Sequence, residues 1–231
     1  MTTLSPSLHA GATHRRPERL ATGAAALLFV LLLIVQNLVR SAAPAFGADP
    51  HVVLTYFRDH QVATAVPLVL FPVGMVALLT FGSGMQGLAT TVEERFWARL
   101  GGMAVLVIAG LFGILNVIEI ALAIDAKNLA TAPEVVGALW AVHGAAFGLD
   151  LAAIAIALVA LSRVALSRML IPRLVDRLAW LGAALLFVAS LTTLALAQGA
   201  PTLYVGFAGF VVWGIFLITC GVRLLRSTET T

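Results

Sequence analysis

The sequence predicts an all-α, polytopic membrane protein with six transmembrane helices, and three observations carry that reading. Apolar residues make up 61% of the 231 positions and charged residues only 11%. With a mean hydropathy of +1.02, the chain lies well outside the range of soluble domains. Six long apolar runs are present, at 20–39, 62–88, 100–124, 138–162, 178–198 and 204–222. A helix needs about 20 apolar residues, at ~1.5 Å each, to cross ~30 Å of hydrocarbon. Finally, the basic residues gather on alternate sides of these runs.

That alternation gives an orientation. Arg15, Arg16 and Arg19 precede the first run, Arg95 and Arg99 separate runs two and three, Arg163, Arg168, Arg173 and Arg177 separate runs four and five, and Arg223 and Arg226 follow the sixth. The other side holds only Arg40, Arg58 and Lys127. Cytoplasmic loops retain Lys and Arg, so both termini are expected in the cytoplasm, as an even number of crossings requires. The excess of basic residues therefore has a membrane explanation and gives no reason to expect a nucleic-acid partner. The predicted organisation is a cytoplasmic tail (1–19), one membrane domain (20–222) and a second tail (223–231). The runs and their short loops leave no length in this sequence for a soluble catalytic domain. Basic residues, an apolar stretch and the small residues Ser41, Ala42 and Ala43 also suggest a signal peptide, but the first run is longer than a usual signal core. Cys220 is the only cysteine, excludes an intrachain disulfide, and reads as a small packing residue.

Taken in order, the first run ends in Gln36, Asn37 and Arg40. The segment 41–61 is the longest external loop, and ADPHVVLTYFRDHQ within it predicts a short interfacial helix. Asp49 can cap its N-terminus, and Pro50 suits a first turn where an N–H would have no partner. Such a helix serves as an amphipathic lid over the bundle. The second run contains Pro67 and Pro72, each of which removes a ladder hydrogen bond and predicts a bend. TTVEERFWARL reads as a tight cytoplasmic turn with Phe96 and Trp97 in the interfacial aromatic belt. In the fourth run Gly144 and Gly148 have the GxxxG spacing that permits close helix approach. The two halves of the chain show no inverted repeat.

The stretch MLIPRLVDRLAWLG, 169–182, resembles a hallmark of a family of uncharacterised bacterial six-helix membrane proteins, in which a Pro-Arg-Trp-Leu-x-Trp-Leu-Gly-like sequence enters the fifth helix. Pro172, Arg173, Trp180, Leu181 and Gly182 match, and Leu174 stands where the family often has tryptophan. The aspartate-tyrosine loop after the first helix and the arginine-rich loop after the fourth are similar as well. The resemblance implies a six-helix, multi-pass protein of the bacterial plasma membrane. It belongs to a domain of unknown function and carries over no activity and no catalytic residues.

Ionisable groups inside hydrocarbon cost ~2.5–3.5 kcal/mol each on insertion scales, so the few present are the candidate functional residues. Asp150 lies near the middle of the fourth run. Glu119 lies near the outer end of the third, and His143 at similar depth on the antiparallel fourth. Asn116 is one turn from Glu119. At 100° per residue His143 and Asp150 differ by only about 20° around the helix, with Trp140 and Phe147 on the same stripe and the glycines turned away. Gln36, Asn37 and Gln198 reach comparable depth. The expectation is a polar chamber open to the external side, formed by Gln36, Asn37, Asn116, Glu119 and His143, with Asp150 at its floor. It could bind a proton or small ligand, or be a hydrogen-bond network that joins helices.

Other chemistries lack their residues. Retinal needs an intramembrane lysine, and the only lysine, Lys127, lies in a loop. Bis-histidine haem needs two intramembrane histidines, and His143 stands alone. His51 and His60 have no third metal ligand. No Walker, GxGxxG, HExxH or GxSxG motif occurs in a suitable context. No catalytic residue, metal or cofactor is therefore assigned. The leading functional reading is a non-catalytic binding, sensing or small-solute passage module whose partners are the bilayer and a small-molecule or lipid ligand. The alternatives are a membrane enzyme on a lipid or isoprenoid, using Glu119 or Asp150 as general acid with His143, and a structural accessory subunit of a membrane complex.

Overall fold

The computed structural model describes residues 15–227; the ends of both predicted tails lie outside them. Every regular element among these residues is helical: α1 (Arg15–Val39), α2 (Pro50–Asp59), α3 (Gln61–Leu88), α4 (Val92–Ile124), α5 (Ala126–Leu129), α6 (Pro133–Ser167), α7 (Arg173–Leu191), α8 (Thr193–Ala197) and α9 (Leu203–Arg226). Six of them, α1, α3, α4, α6, α7 and α9, are long and apolar enough to cross a membrane, so the chain is a multi-pass membrane protein. These six pack in chain order as a ring, each against the next, and α9 closes it against α1. One face of the bundle holds the start of α1, the end of α9 and the arginine-rich turns. The opposite face carries α2, α5 and α8.

Local chemistry sets the helix ends. The Asp49 side chain accepts from His51 N–H at 2.8 Å, with Pro50 in the first turn of α2. Thr91 and Glu94 form a reciprocal capping box at α4, satisfying two donors that have no partner in the helix ladder. Consequently TTVEERFWARL is not a turn throughout: only its first two residues, Thr90 and Thr91, lie outside a helix, and α4 starts at Val92. Long α4 and α6 carry polar first and last turns beyond their apolar runs, where Glu94 pairs with Arg168 and Glu93 with Arg163 at 3.8 Å. Past the end of α6, Leu170 N–H returns to Ala165 O at 2.8 Å while Met169 takes φ 55°, a helix stop of the Schellman type.

The fifth apolar run, expected to be one helix through 198, breaks at Thr192 into α7 and α8. Thr192 and Thr193 hydroxyls donate to the carbonyls of Ala189 and Ser190, the local bonding by which Ser and Thr compete with the helix ladder. The Gly144–Gly148 face of α6 receives this broken piece. A Cβ on Gly148 would lie 2.5 Å from the Thr193 hydroxyl, and one on Gly144 3.0 Å from Ala197 Cα. The small-residue face thus packs against α8, not against a spanning helix. Helix α3 is continuous through Pro67 and Pro72.

The arginine-rich half of the ring is solid. Phe81, Met85, Leu158, Leu161, Trp213, Phe216 and Leu217 are buried there in one apolar cluster, together with Cys220. Helix α6 is the most buried span, with 67% of its apolar window inside the bundle against at most 44% for any other. Its polar residues therefore face protein. At the same end α1 and α9 touch through glycines, since a Cβ on Gly23 would lie 2.9 Å from Gly221 O.

Candidate functional site

Above the solid half, towards the α2 face, the ring encloses a cavity of about 480 Å³. Its polar end is built around one carboxylate. Glu119, 5% exposed on α4, accepts from Arg40 Nη2 at 2.5 Å through Oε2 and meets His143 Nε2 at 3.1 Å through Oε1. Arg40 follows the last turn of α1 and folds inward, also donating to Asn116 Oδ1 at 3.3 Å. Asn116 anchors itself to Phe112 O at 2.7 Å. One arginine thus ties α1 to α4, and one glutamate ties both to α6.

The imidazole is held on its other sides by aromatic rings. Trp140, one turn earlier on α6, stacks on His143 at 4.5 Å with 11° between planes. The Trp140 indole N–H donates to Ala45 O at 3.0 Å, which draws the 41–49 segment into the bundle. Phe46 then packs 5.8 Å from His143, 6.2 Å from Trp140 and 5.3 Å from Phe147. Two glycines allow this. Gly47 (φ 73°) and Gly199 (φ 89°) occupy the left-handed region, and the chains cross so closely that a Cβ on Gly47 would meet Gln198 O at 2.5 Å and one on Gly199 would meet Phe46 O at 2.6 Å.

Helix α2 roofs the cavity. Val53, Leu54, Tyr56 and Phe57 are buried against the ends of α4 and α6, while Arg58 and Asp59 stay outside and pair with each other. Val52 is exposed on the same helix. Arg58 holds the Asp59 carboxyl below its ordinary range by hydrogen bond and charge. Burial, helped by the charge of Glu119 and opposed by that of Arg40, pushes the Tyr56 phenol above its ordinary value. Tyr56 is therefore a neutral hydroxyl at the cavity wall.

Of the residues expected at the site, Gln36, Asn37, Glu119 and His143 line the cavity, and Asn116 stands behind it as a partner of Arg40. Two placements change. Asp150 is not the chamber floor: it is 1% exposed, absent from the cavity wall, and neither carboxylate oxygen has a hydrogen-bond partner among the described residues. The wall at that depth is made by Phe147 and Leu151, which at 100° per residue lie about 60° and 100° further round α6 than Asp150. Gln198 is exposed beyond α8 and does not line the cavity either. Arg40 and Phe46 are the neighbours of Glu119 and His143 that sequence reasoning missed. A usable signal was present for Arg40. It is a lone cation on the basic-poor side, without the adjacent aspartate that Arg58 has.

Among the described residues no three His, Cys, Asp or Glu side chains converge as a metal site. Both oxygens of Glu119 are engaged, and the cavity does not reach Asp150. The geometry presents hydrogen-bonding groups and aromatic surface to a guest, with no free carboxylate to exchange a proton with it. Comparison with family models, with curated proteins and with solved structures finds no match.

Proposed function

We propose that this chain is a non-catalytic, membrane-embedded binding module, oriented with both termini in the cytoplasm of a bacterium and its cavity facing the outer leaflet of the plasma membrane. The single observation that carries the reading is the cavity itself. Its volume of about 480 Å³ lies within the ~300–1,000 Å³ of small-molecule sites, and it combines apolar walls with a few convergent polar groups. The orientation rests on the eleven basic residues of one face against three on the other. The packed apolar half below the cavity supports binding over free passage of solute, since a polar solute would have to cross Phe81, Leu158 and Phe216. Membership of the six-helix family suggested by residues 169–182 is part of the same proposal.

The test is native mass spectrometry of the full chain released from membranes. The expected result is a small molecule bound one to one. It is lost when Leu115, buried on the cavity wall, is enlarged by Leu115→Phe in a variant that keeps its helical spectrum. Absence of any adduct, or an adduct that persists in the folded filled variant, would overturn the proposal.

A further inference from the structure

The stripe of α9 that faces α1 changes character along its length, and the change opens the cavity sideways. At the arginine-rich end the stripe is in tight contact: a Cβ on Gly221 would lie 2.8 Å from Leu27 Cγ and 3.0 Å from Gly23 O. At 100° per residue Gly214, Phe210 and Phe207 fall within about 40° of Gly221 around the helix, but their surroundings differ. A Cβ on Gly214 would meet nothing within 4 Å. Phe210 is half-buried on the cavity wall, and Phe207 lines the cavity while 60% exposed. The facing stripe of α1 runs the same way. Within about 40° of Gly23 it passes from buried Val30 to Ile34, 50% exposed, and to Asn37, which is exposed and lines the cavity. The two helices therefore touch at one end, part from mid-span, and leave the cavity open to the outside between them.

This opening lies within the spans. Phe210 follows Leu203, the first residue of α9, by a depth of about 10 Å at ~1.5 Å per residue, and Gly214 sits at mid-span. In a membrane the neighbour of the slot is hydrocarbon. Ile34, Phe207 and Phe210 offer water no polar partners there, and behind them Phe147 and Leu151 continue the apolar wall. Apolar walls held apart lose dispersion contacts, which a methylene chain between them restores.

We infer that a hydrocarbon chain of a bilayer lipid enters the cavity sideways between α1 and α9 and lies along Phe210, Phe147 and Leu151. This rests on the binding reading above and adds to it the apolar part of the guest and its route.

The experiment uses the full chain carrying Trp97→Phe, Trp180→Phe and Trp213→Phe, so that Trp140, on the cavity wall and 4% exposed, is its only tryptophan. The protein is placed in nanodiscs of dioleoylphosphatidylcholine with or without bromine on the chains, since bromine quenches indole emission on close approach. Trp140 is expected to lose most of its emission in the brominated bilayer. The added pair Ile34→Phe, Gly214→Phe should restore it. Neither residue lines the cavity, and each has room for a ring, so the pair fills the slot and leaves the cavity as it is. If Trp213→Phe or Gly214→Phe costs the helical spectrum, Trp213 and Gly214 are kept and Ile34→Phe alone is read. Equal emission in the two bilayers, or quenching unchanged in the folded plugged variant, would overturn the inference. Unquenched Trp140 in a nanodisc holding two copies would assign the slot to a second copy and overturn it too. In each case a small-molecule adduct in the native spectrum would leave the binding reading standing, and its absence would overturn both.

Discussion

Arg40 Nη2 lies 2.5 Å from Glu119 Oε2, with the arginine side chain 20% exposed and the glutamate 7%. The pair spans 79 residues of sequence and joins the end of the first spanning helix to the middle of the ring. Its two formal charges offset each other at the polar end of the cavity. Removing one partner leaves the other charge uncompensated in a poorly hydrated place, which typically costs about 3 kcal/mol. Glu119→Gln should lower the thermal midpoint in detergent markedly, whereas the double variant Arg40→Leu, Glu119→Leu should recover much of the loss. A double variant as unstable as the single one would show that the pair does not act as a unit.

Asp150 has two buried oxygens without partners, a cost of roughly 1–3 kcal/mol per unsatisfied group. Asp150→Leu should therefore hold or raise stability, and because the cavity does not reach this residue it should leave native-spectrum adducts unchanged. Lost adducts in a stable Asp150→Leu protein would show that the carboxylate contributes to the site after all.

The crossing of Gly47 and Gly199 places Phe46 against His143. A β-carbon at either glycine would collide with backbone on the other strand of chain and would sit at a positive φ, a strain of about 1–2 kcal/mol before the collision is counted. Gly47→Ala and Gly199→Ala should each destabilise the protein and weaken ligand binding, while Gly87→Ala, in open space on α3, should do neither. Equal behaviour of all three variants would remove the crossing as a determinant of the site.

Orientation is tested by labelling with an impermeant thiol reagent in intact cells. Ser41→Cys and Ala132→Cys, on the α2 face, should react, and Thr91→Cys and Ser167→Cys on the arginine-rich face should not. The reverse pattern would invert the assignment. Cys220, fully buried, supplies little background.

The spans were legible because hydropathy is a local property, and helix caps such as Asp49 were legible for the same reason. The level match of Glu119 and His143 followed from counting along two antiparallel helices. What escaped the sequence is tertiary. Arg40 reads as a loop charge until its side chain is seen to turn inward, and Phe46 sits in a segment with no periodicity to say which way it points. Asp150 is only about 20° from His143 around α6, but the cavity wall follows Phe147 and Leu151, about 60° and 100° further round, and leaves the carboxylate outside it. The break at Thr192 is hidden from a hydropathy window because threonine hydroxyls bonded to their own helix count as nearly apolar.

Whether the upper half of the bundle is hollow and the lower half solid can be read directly from two positions on one helix. Thr64 and Ala77 are both on α3 and both 4% exposed, but Thr64 lines the cavity and Ala77 belongs to the packed apolar cluster. With the protein in detergent and a small polar thiosulfonate as reagent, Thr64→Cys should react at a rate approaching that of exposed Ser41→Cys, and Ala77→Cys should stay unreactive until the protein unfolds. Equal protection of the two cysteines would contradict an accessible cavity and the binding function built on it.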